Sequence, residues 1–399
     1  MVAANWDTQL LRGLSKYPEV EWIYAKLAQD KIGGGRGSFV LPKLTKVKAQ
    51  SYIKSAQAQG LKFNYLLNAS CLGNHEYNKE MRYELLSELD WVVSAGADGV
   101  TISTDFLFNV ARKKYPKLKI GIGVFKGVNS LETLKYYQDK GADWVTLPFF
   151  VVRDFKFMEQ IPKKIKMDVH LFVNNICLYV CPHIMTQPNT LSHSSQVGGL
   201  GCESCVDFYL LKCNKIKMDR PEELLKSCWI RPEDIKIYEE MGFKYFKISD
   251  RSRSTEWLLN VVHAYTQQKY KGDLAQIMSL EIPGDEQQLH PQVNTEFRKK
   301  LLQHNNEDQM LLRSMSAWGH KGRPKIDNRK LDFFLKFFQQ NNCRLSDCEQ
   351  CGYCKAMAKK AVVFEDKYAS RMLSQCLGKS ARKFIRNEFF KKPDMKVKK

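Results

Sequence analysis

Four of the twelve cysteines in this 399-residue chain fall within one short stretch, Cys343-Arg-Leu-Ser-Asp-Cys348-Glu-Gln-Cys351-Gly-Tyr-Cys354. Two residues between thiols let a turn aim both sulfurs inward, so four thiolates at this spacing can surround one ion or cluster. Tetrahedral zinc and an iron–sulfur cluster both accept four thiolates, and spacing alone does not separate them. The compact Cys-x-x-Cys-x-x-Cys run, with no second distant pair, leans toward iron–sulfur, with zinc as the alternative.

A second set is spread out: Cys71, Cys177, Cys181, Cys202, Cys205, Cys213 and Cys228. Cys71 follows a strand-like segment ending at Asn68, and Cys177 and Cys181 follow one ending near Asn174. Cys213 follows an apolar run near Phe208. If these segments are strands of one parallel barrel, their ends share a face, the C-terminal mouth where such barrels build active sites. The expectation is a cluster held by Cys71, Cys177, Cys181 and Cys213, with Cys202, Cys205 and Cys228 in reserve for the fourth place. The alternative is that Cys71 and Cys213 are small buried apolar residues, a common use of free cysteine. Cys376 has no sequence partner and reads as structural.

Polar residues without an evident structural duty gather around the same places. Asn68, Asn174 and Asn175 end two strand-like segments and suit substrate binding. Lys247 and Arg251 end another and suit a carboxylate or phosphate, as does Arg36. His183 and His193 lie between the cysteines. His193 and Ser195 invite a hydrolytic reading, but no acid orienter or oxyanion motif accompanies them.

The elements that would position these residues alternate along the first two-thirds of the chain. Strand-like segments are Val20–Leu27, Phe63–Asn68, Gly99–Ser103, Leu118–Val124, Trp144–Phe149, Val169–Asn174 and Tyr245–Ser249, and a run near Phe208–Lys212 would supply an eighth. Amphipathic patterns at Met81–Ser94, Ser130–Lys140 and Pro232–Met241 predict helices between them. Ser94-Ala-Gly-Ala-Asp-Gly-Val, Asp139-Lys-Gly-Ala-Asp-Trp-Val and Glu240-Met-Gly-Phe-Lys-Tyr-Phe each place a glycine just past a helix and before a strand, as repeated βα units do. The expected fold is therefore α/β, a TIM-like (β/α)8 barrel over residues 1–270. A helical and loop connection over 271–330 follows, with 313–330 an exposed loop. A cysteine-rich helical module with a basic tail occupies 331–399, opening with an apolar helix at Leu331–Phe338. A doubly wound open sheet is the runner-up. No Gly-x-Gly-x-x-Gly follows the first strand, which argues against dinucleotide binding.

Bulk properties narrow the class further. The N-terminus lacks a basic segment followed by an apolar run, and no apolar stretch approaches a membrane span. The expectation is a soluble cytoplasmic protein, whose clustered thiols stay reduced and serve as ligands rather than disulfides. The net charge of +20 is partly local, since nine Lys/Arg lie between Lys379 and Lys399. That tail reads either as a solvated end or as a handle for RNA or another polyanion, and no recognisable RNA-binding module accompanies it.

Several stretches together resemble the collagenase-like peptidase U-32 family, from about Val20 to Tyr265. They are Gly33-Gly-Gly-Arg36, Asn68-Ala-Ser-Cys71-Leu-Gly-Asn74, Gly141-Ala-Asp-Trp144, and Leu171-Phe-Val-Asn-Asn-Ile-Cys177 with Cys181-Pro. Ser192-His-Ser-Ser-Gln196 and Ile230-Arg-Pro-Glu-Asp234 leading to Phe246-Lys247-Ile complete them. The resemblance implies a barrel and a four-cysteine [4Fe–4S] centre. It also implies oxygen-independent hydroxylation of RNA bases or a quinone precursor ring in some relatives, prephenate being implicated as oxygen source in some, and protease activity in others. Asn174-Asn175 departs from the family's His-Gly, and Cys177 and Cys181 stand closer together than its usual first pair, so the fourth ligand stays open.

Three readings follow. The first is an iron–sulfur enzyme carrying out hydroxylation or a related redox modification. Here Cys343, Cys348, Cys351 and Cys354 hold a second centre, His193, Lys247 and Arg251 are catalytic, and Arg36, Lys247 and Arg251 orient an anionic small molecule or RNA. Such an enzyme would use an electron-donor protein and could work as a homo- or heterodimer. The second is a peptidase acting through His193 and Ser195 or a metal. The third is a non-catalytic RNA-binding scaffold with structural zinc.

Overall fold

In the computed structural model, residues 1–179, 181–198, 207–284, 288–301, 306–386 and 388 are described. Eight parallel strands run in chain order around a barrel: β1 (Val2–Ala3), β2 (Trp22–Ala25), β3 (Lys62–Leu67), β4 (Gly99–Ile102), β5 (Lys119–Ile122), β6 (Trp144–Thr146), β7 (Asp168–Phe172) and β8 (Tyr245–Lys247). The ring closes where Ala3 N donates to Ile248 O at 3.1 Å and Ile248 N donates to Met1 O at 3.0 Å. Their near-continuous Val, Ile, Leu and aromatic content is what strands covered on both faces require. The TIM-like barrel read from the sequence is thus the fold.

The helix-ending glycines behave as expected. Gly96, Gly141 and Gly242 have φ of +92°, +83° and +104°, each turning the chain from a helix into the next strand. A side chain there would meet the left-handed steric penalty.

Three expectations are corrected. The run at Phe208–Lys212 is not the eighth strand but the start of a helix, Phe208–Asp219. Asp207 caps it by accepting from the amides of Tyr209 and Leu210, and its buried residues Leu211, Cys213, Asn214, Lys217 and Met218 recur at helical spacing. The missing strand is β1, only two residues long and too short to show a period. Residues 313–330 are not an exposed loop either, since helix Asn306–Gly322 runs through most of them and Pro324–Ile326 (β9) pairs antiparallel with Val362–Phe364 (β10). Its glycines mark close approaches rather than turns. A Cβ on Gly319 would fall 1.8 Å from Pro283 O, and one on Gly322 would fall 2.5 Å from Ser370 N. Finally, Leu331–Phe338 is not one helix. A 3-10 turn, Asn328–Leu331, is separated from helix Lys336–Gln340 by Phe333 at φ +64°.

The long helix Lys367–Ile385 packs on both Asn306–Gly322 and Phe208–Asp219. No helix among the described residues is long and apolar enough to cross a membrane.

The lower part of the barrel is filled by Trp144, whose ring stacks on His170 with centroids 5.6 Å apart and planes 5° from parallel. Glycines in the adjoining strands make room: a Cβ on Gly121 would lie 1.9 Å from the indole, and one on Gly99 would lie 2.9 Å from it. Overfilling a packed core costs about 1–3 kcal/mol. Gly121→Ala should therefore lower the chemical-denaturation stability by about that amount, and an unchanged midpoint would show that Trp144 yields freely.

Candidate active site at the barrel mouth

Segments following β2, β3, β5, β7 and β8 meet above the C-terminal ends of the strands, and buried polar groups fix each one. After β2, Lys26 and Asp30 form a fully buried ion pair at 3.0 Å, and Tyr65 Oη donates to the same carboxylate at 3.2 Å. Asp30 also accepts from the amides of Ile32 at 3.1 Å and Gly33 at 2.6 Å, which shapes the Gly33-Gly-Gly-Arg36 turn. Gly34 N donates to Ser195 Oγ at 2.9 Å, so the helix Gln187–Ser194 and the residue after it are tied to that turn.

The turn delivers Arg36 to two carboxylates. Its guanidinium pairs with Asp250 at 3.1 Å and with Glu281. Asp250, buried, also receives Arg253 Nε at 3.1 Å, Ser252 Oγ at 2.6 Å and Ser279 Oγ at 3.1 Å. Burial alone would raise its carboxyl, but Arg36, Arg253 and Ser252 overcome this and hold it well below the usual carboxylate range. Asn174, just past β7, donates to Ser249 O and Ile277 O and accepts from Ser249 N and Oγ. Its amide is taken up by this structural knot. Asn175 Oδ1 accepts from Cys177 N at 3.0 Å and orients the cysteine loop.

Among the described residues, the buried cations Lys247, Arg251 and Lys217 at the mouth make no ion pair with a carboxylate. Lys247, at the end of β8, is buried with its Nζ 4.4 Å from the Tyr24 ring centroid and 5.4 Å from that of Phe172. Burial, together with the Arg251 guanidinium, lowers its ammonium to about 7. Arg251 is also buried, which lowers its guanidinium to about 10, and its Nη1 has no hydrogen-bond partner. Asn68 Oδ1 is likewise buried and unpartnered. Lys247, Arg251, Asn68, Lys217, Asn175 and Cys177 line one cavity of about 210 Å³, walled by Tyr24, Phe125 and other aromatic rings.

The thiols form a cluster beside this cavity. The Cys181 and Cys213 thiols lie within reach of one another; their interaction lowers the Cys181 thiol and, with burial, raises that of Cys213. Cys177 lies within electrostatic reach of Cys181 and Cys213, and burial raises its thiol. Lys217 acts on all three. Cys213 thus reaches the mouth from a helix rather than from a strand end. Cys71 lies on the loop after β3, where Gly73 N donates to its sulfur at 3.4 Å and Gln196 Nε2 donates to its carbonyl at 3.1 Å. Cys202 and Cys205 lie outside the described residues, as do 387 and 389–399 of the basic tail. Among the described residues no three His, Cys, Asp or Glu side chains close on a single metal-ion position.

His193 stands apart from Lys247 and Arg251. Its Nδ1 pairs with Gln196 Oε1 at 3.0 Å, near the Cys71 loop. Ser195 Oγ accepts from Gly34 N and lies within donating distance of the carbonyls of Leu191, Ser192 and Gly34. Lys217 and Asp250 were not singled out from the sequence. Lys217 follows Cys213 by four residues, which on a helix places both on one face, and that signal was lost when the segment was read as a strand.

The second set of thiols surrounds another cavity. Cys343, Cys348, Cys351 and Cys354 line a basin of about 440 Å³ with Arg220, Lys226, Phe337, Phe338, Tyr353 and Lys355. Cys228 lies beside this basin, buried and within electrostatic reach of Cys343.

The chain is similar to known proteins along most of its length. The chain is 25% identical over 336 residues to a protein named "uncharacterized protease MJ1657" from Methanocaldococcus jannaschii, covering 83% of this chain and 86% of that one. Among solved structures, one described as the U32 peptidase Mk0906 is 19% identical with a TM-score of 0.46, covering 62% of this chain and 92% of that one. A glycerol uptake operon antiterminator-related protein from Thermotoga maritima is 16% identical with a TM-score of 0.26, covering 49% and 91%. The model of peptidase family U32 matches residues 42–311, which hold the Asn68–Cys71 loop, all three clustered thiols, Lys247 and Arg251. The chain belongs to peptidase family U32.

Proposed function

We propose that this chain is an iron–sulfur member of family U32 that carries out oxygen-independent hydroxylation or a related redox modification of an anionic substrate at the barrel mouth. The observation that carries the reading is the gathering of Cys177, Cys181 and Cys213, with Cys177 lining the cavity that also holds Lys247 and Arg251. Soft thiolates without accompanying carboxylates suit a cluster. Cys71 is our choice for the fourth ligand, with Cys202 and Cys205 the other candidates. A bound [4Fe–4S] cluster supplies one-electron exchange.

The surrounding residues supply binding and orientation. Lys247 and Arg251 are themselves buried at the cavity, where attraction for a carboxylate, phosphate or other anion is stronger than in bulk water. Asn68 Oδ1 offers an unused acceptor, and the aromatic walls accept a planar or apolar portion. Arg36, held by Asp250 and Glu281, closes one side of the cavity and positions the Gly33–Arg36 turn. A serine route through Ser195 is not supported, because its hydroxyl is engaged by backbone groups and His193 does not contact it. The family name alone leaves the substrate open.

Anaerobic purification followed by iron and sulfide analysis tests the centre. We expect brown protein whose iron falls when Cys177 and Cys181 are both replaced by Ala, and colourless, iron-free protein after reconstitution would sink the reading. The anion site has a separate test with sulfate, whose charge is constant near neutrality. Lys247 is charged below about 7 and loses its proton above it, so sulfate affinity should fall as pH rises through 7. Lys247→Met should weaken binding about tenfold at pH 6, roughly 1.4 kcal/mol for one charge-assisted contact, and abolish that pH dependence. A fall that persists in the variant would assign the titration to another group.

A further inference from the structure

We propose that Cys343, Cys348, Cys351 and Cys354 hold an iron–sulfur cluster of their own, docked on the barrel against the loop that carries Cys177 and Cys181. This goes beyond the proposed function and stands whether or not the barrel thiols are loaded. Three observations carry it.

The first is the shape of the basin. Cys343 and Cys354 each lie within electrostatic reach of Cys348 and Cys351, so the four thiols belong to one site. All four line one basin of about 440 Å³ together with nine other residues. A single zinc ion draws four sulfurs to about 2.3 Å from its centre, and no three of these thiols close on one such position. A cluster, with its own sulfides between the irons and the thiolates, needs the ligands held further apart.

The second is charge. Four thiolates around a cluster leave a net negative group, and the basin is lined by Arg220, Lys226 and Lys355 alongside Glu222 and Glu349, with Arg220 and Lys226 paired to Glu222 and Glu223. Buried Arg153 adds to this from below and acts on Cys343, Cys354 and Cys228.

The third is rigidity. Arg153 lies 5.2, 5.1 and 4.9 Å from the ring centroids of Trp229, Phe334 and Phe338, and donates to Leu225 O at 2.6 Å and Trp229 O at 3.2 Å. Tyr353, between Cys351 and Cys354, stacks on Phe337 at 3.9 Å with planes 9° apart and donates to Phe334 O at 3.0 Å. Arg344 pairs with Asp154 at 3.3 Å. The thiol-bearing turns are thus clamped to the segment after β6. Half-buried Tyr179, two residues from both Cys177 and Cys181, lies within electrostatic reach of Cys228, Cys343 and Cys348, which places the basin beside the barrel's cysteine loop.

The test uses the full chain, purified and reconstituted anaerobically, with iron, sulfide and zinc measured per chain. With Cys177 and Cys181 both changed to Ala, about four irons and four sulfides should remain, and adding Cys348→Ala and Cys351→Ala should remove them. Cys351→Ser, at an exposed position, provides a second readout that does not depend on the folding of that variant. It should change the EPR spectrum of the reduced cluster while far-UV circular dichroism stays the same. Cys376→Ala, outside the basin, should retain all the iron. About one zinc per chain in place of iron, iron unaffected by the loss of Cys348 and Cys351, or an unchanged EPR spectrum in Cys351→Ser would each overturn the proposal. Failure of the barrel centre would look different: the parent protein would lose no iron when Cys177 and Cys181 are replaced.

Discussion

The mouth of this barrel depends on one buried carboxylate, that of Asp250. It draws together Arg36 from the turn after β2, Arg253 from the turn after β8, and Ser279 from the segment beyond the barrel. None of these segments is adjacent in sequence to the others, and a loop of this kind otherwise holds its shape weakly. Burying a charge is costly unless it is paired and hydrogen-bonded, and removing one partner of such a group costs about 3–5 kcal/mol. Its ion pairs are taken by Arg36 and Arg253, while Lys247, Arg251 and Lys217 line the cavity without an ion pair among the described residues. A burial that lowers the Lys247 ammonium to about 7 is the mark of this arrangement. An anion entering the cavity relieves a cost that the fold has already borne.

The two sets of thiols are brought near one another by different means. Cys177 and Cys181 come from the segment after β7, whose entry is fixed by Asn174 and Asn175. Cys213 comes from helix Phe208–Asp219, and that helix is held from behind by Lys367–Ile385, as Ser374 Oγ donating to Asp219 illustrates. The C-terminal region therefore supports the barrel's thiols as well as carrying its own. Arg231 strengthens the same junction by pairing with Asp234 at 2.8 Å while reaching Asn328 O at 3.4 Å. The Ile230–Asp234 stretch is thus a structural tie between barrel and appendage. Part of the tail's positive charge is structural too, since Lys383 pairs with Asp308 at 2.6 Å.

The parts of the fold that could be read in the sequence are those governed by local rules. A helix that must stop and re-enter the sheet needs a left-handed residue, so Gly96, Gly141 and Gly242 announced the βα repeat. The strands buried on both faces announced themselves by composition. What stayed hidden was set by tertiary context. A two-residue strand such as β1 has no periodicity, and it forms only because β2 and β8 flank it. Phe208-Tyr-Leu-Leu is apolar in either geometry, and the Asp207 cap and the spacing of Leu211, Asn214 and Met218 decide for helix. Gly319 and Gly322 looked like loop punctuation because close approach to another backbone leaves the same sequence mark as a turn. Within the site, the thiols and the cations Lys247 and Arg251 were legible from residue type and strand ends. Asp250 was not, since nothing in Ser-Asp-Arg-Ser-Arg distinguishes a buried hub from a solvated turn.

Family membership sets the scaffold here and leaves the chemistry to the residues at the mouth. A hydrolytic site needs a nucleophile that is free to attack and a base in contact with it. Ser195 meets neither condition, because the Gly34 amide and nearby carbonyls hold its hydroxyl in the wall of the turn. The cavity offers instead the cations Lys247, Arg251 and Lys217, an unpartnered asparagine oxygen and Cys177. An anion drawn in by Lys247 and Arg251 would therefore meet whatever the thiols hold on the side that Cys177 occupies. Cys181 and Cys213, within electrostatic reach of Cys177, would supply further ligands to the same group.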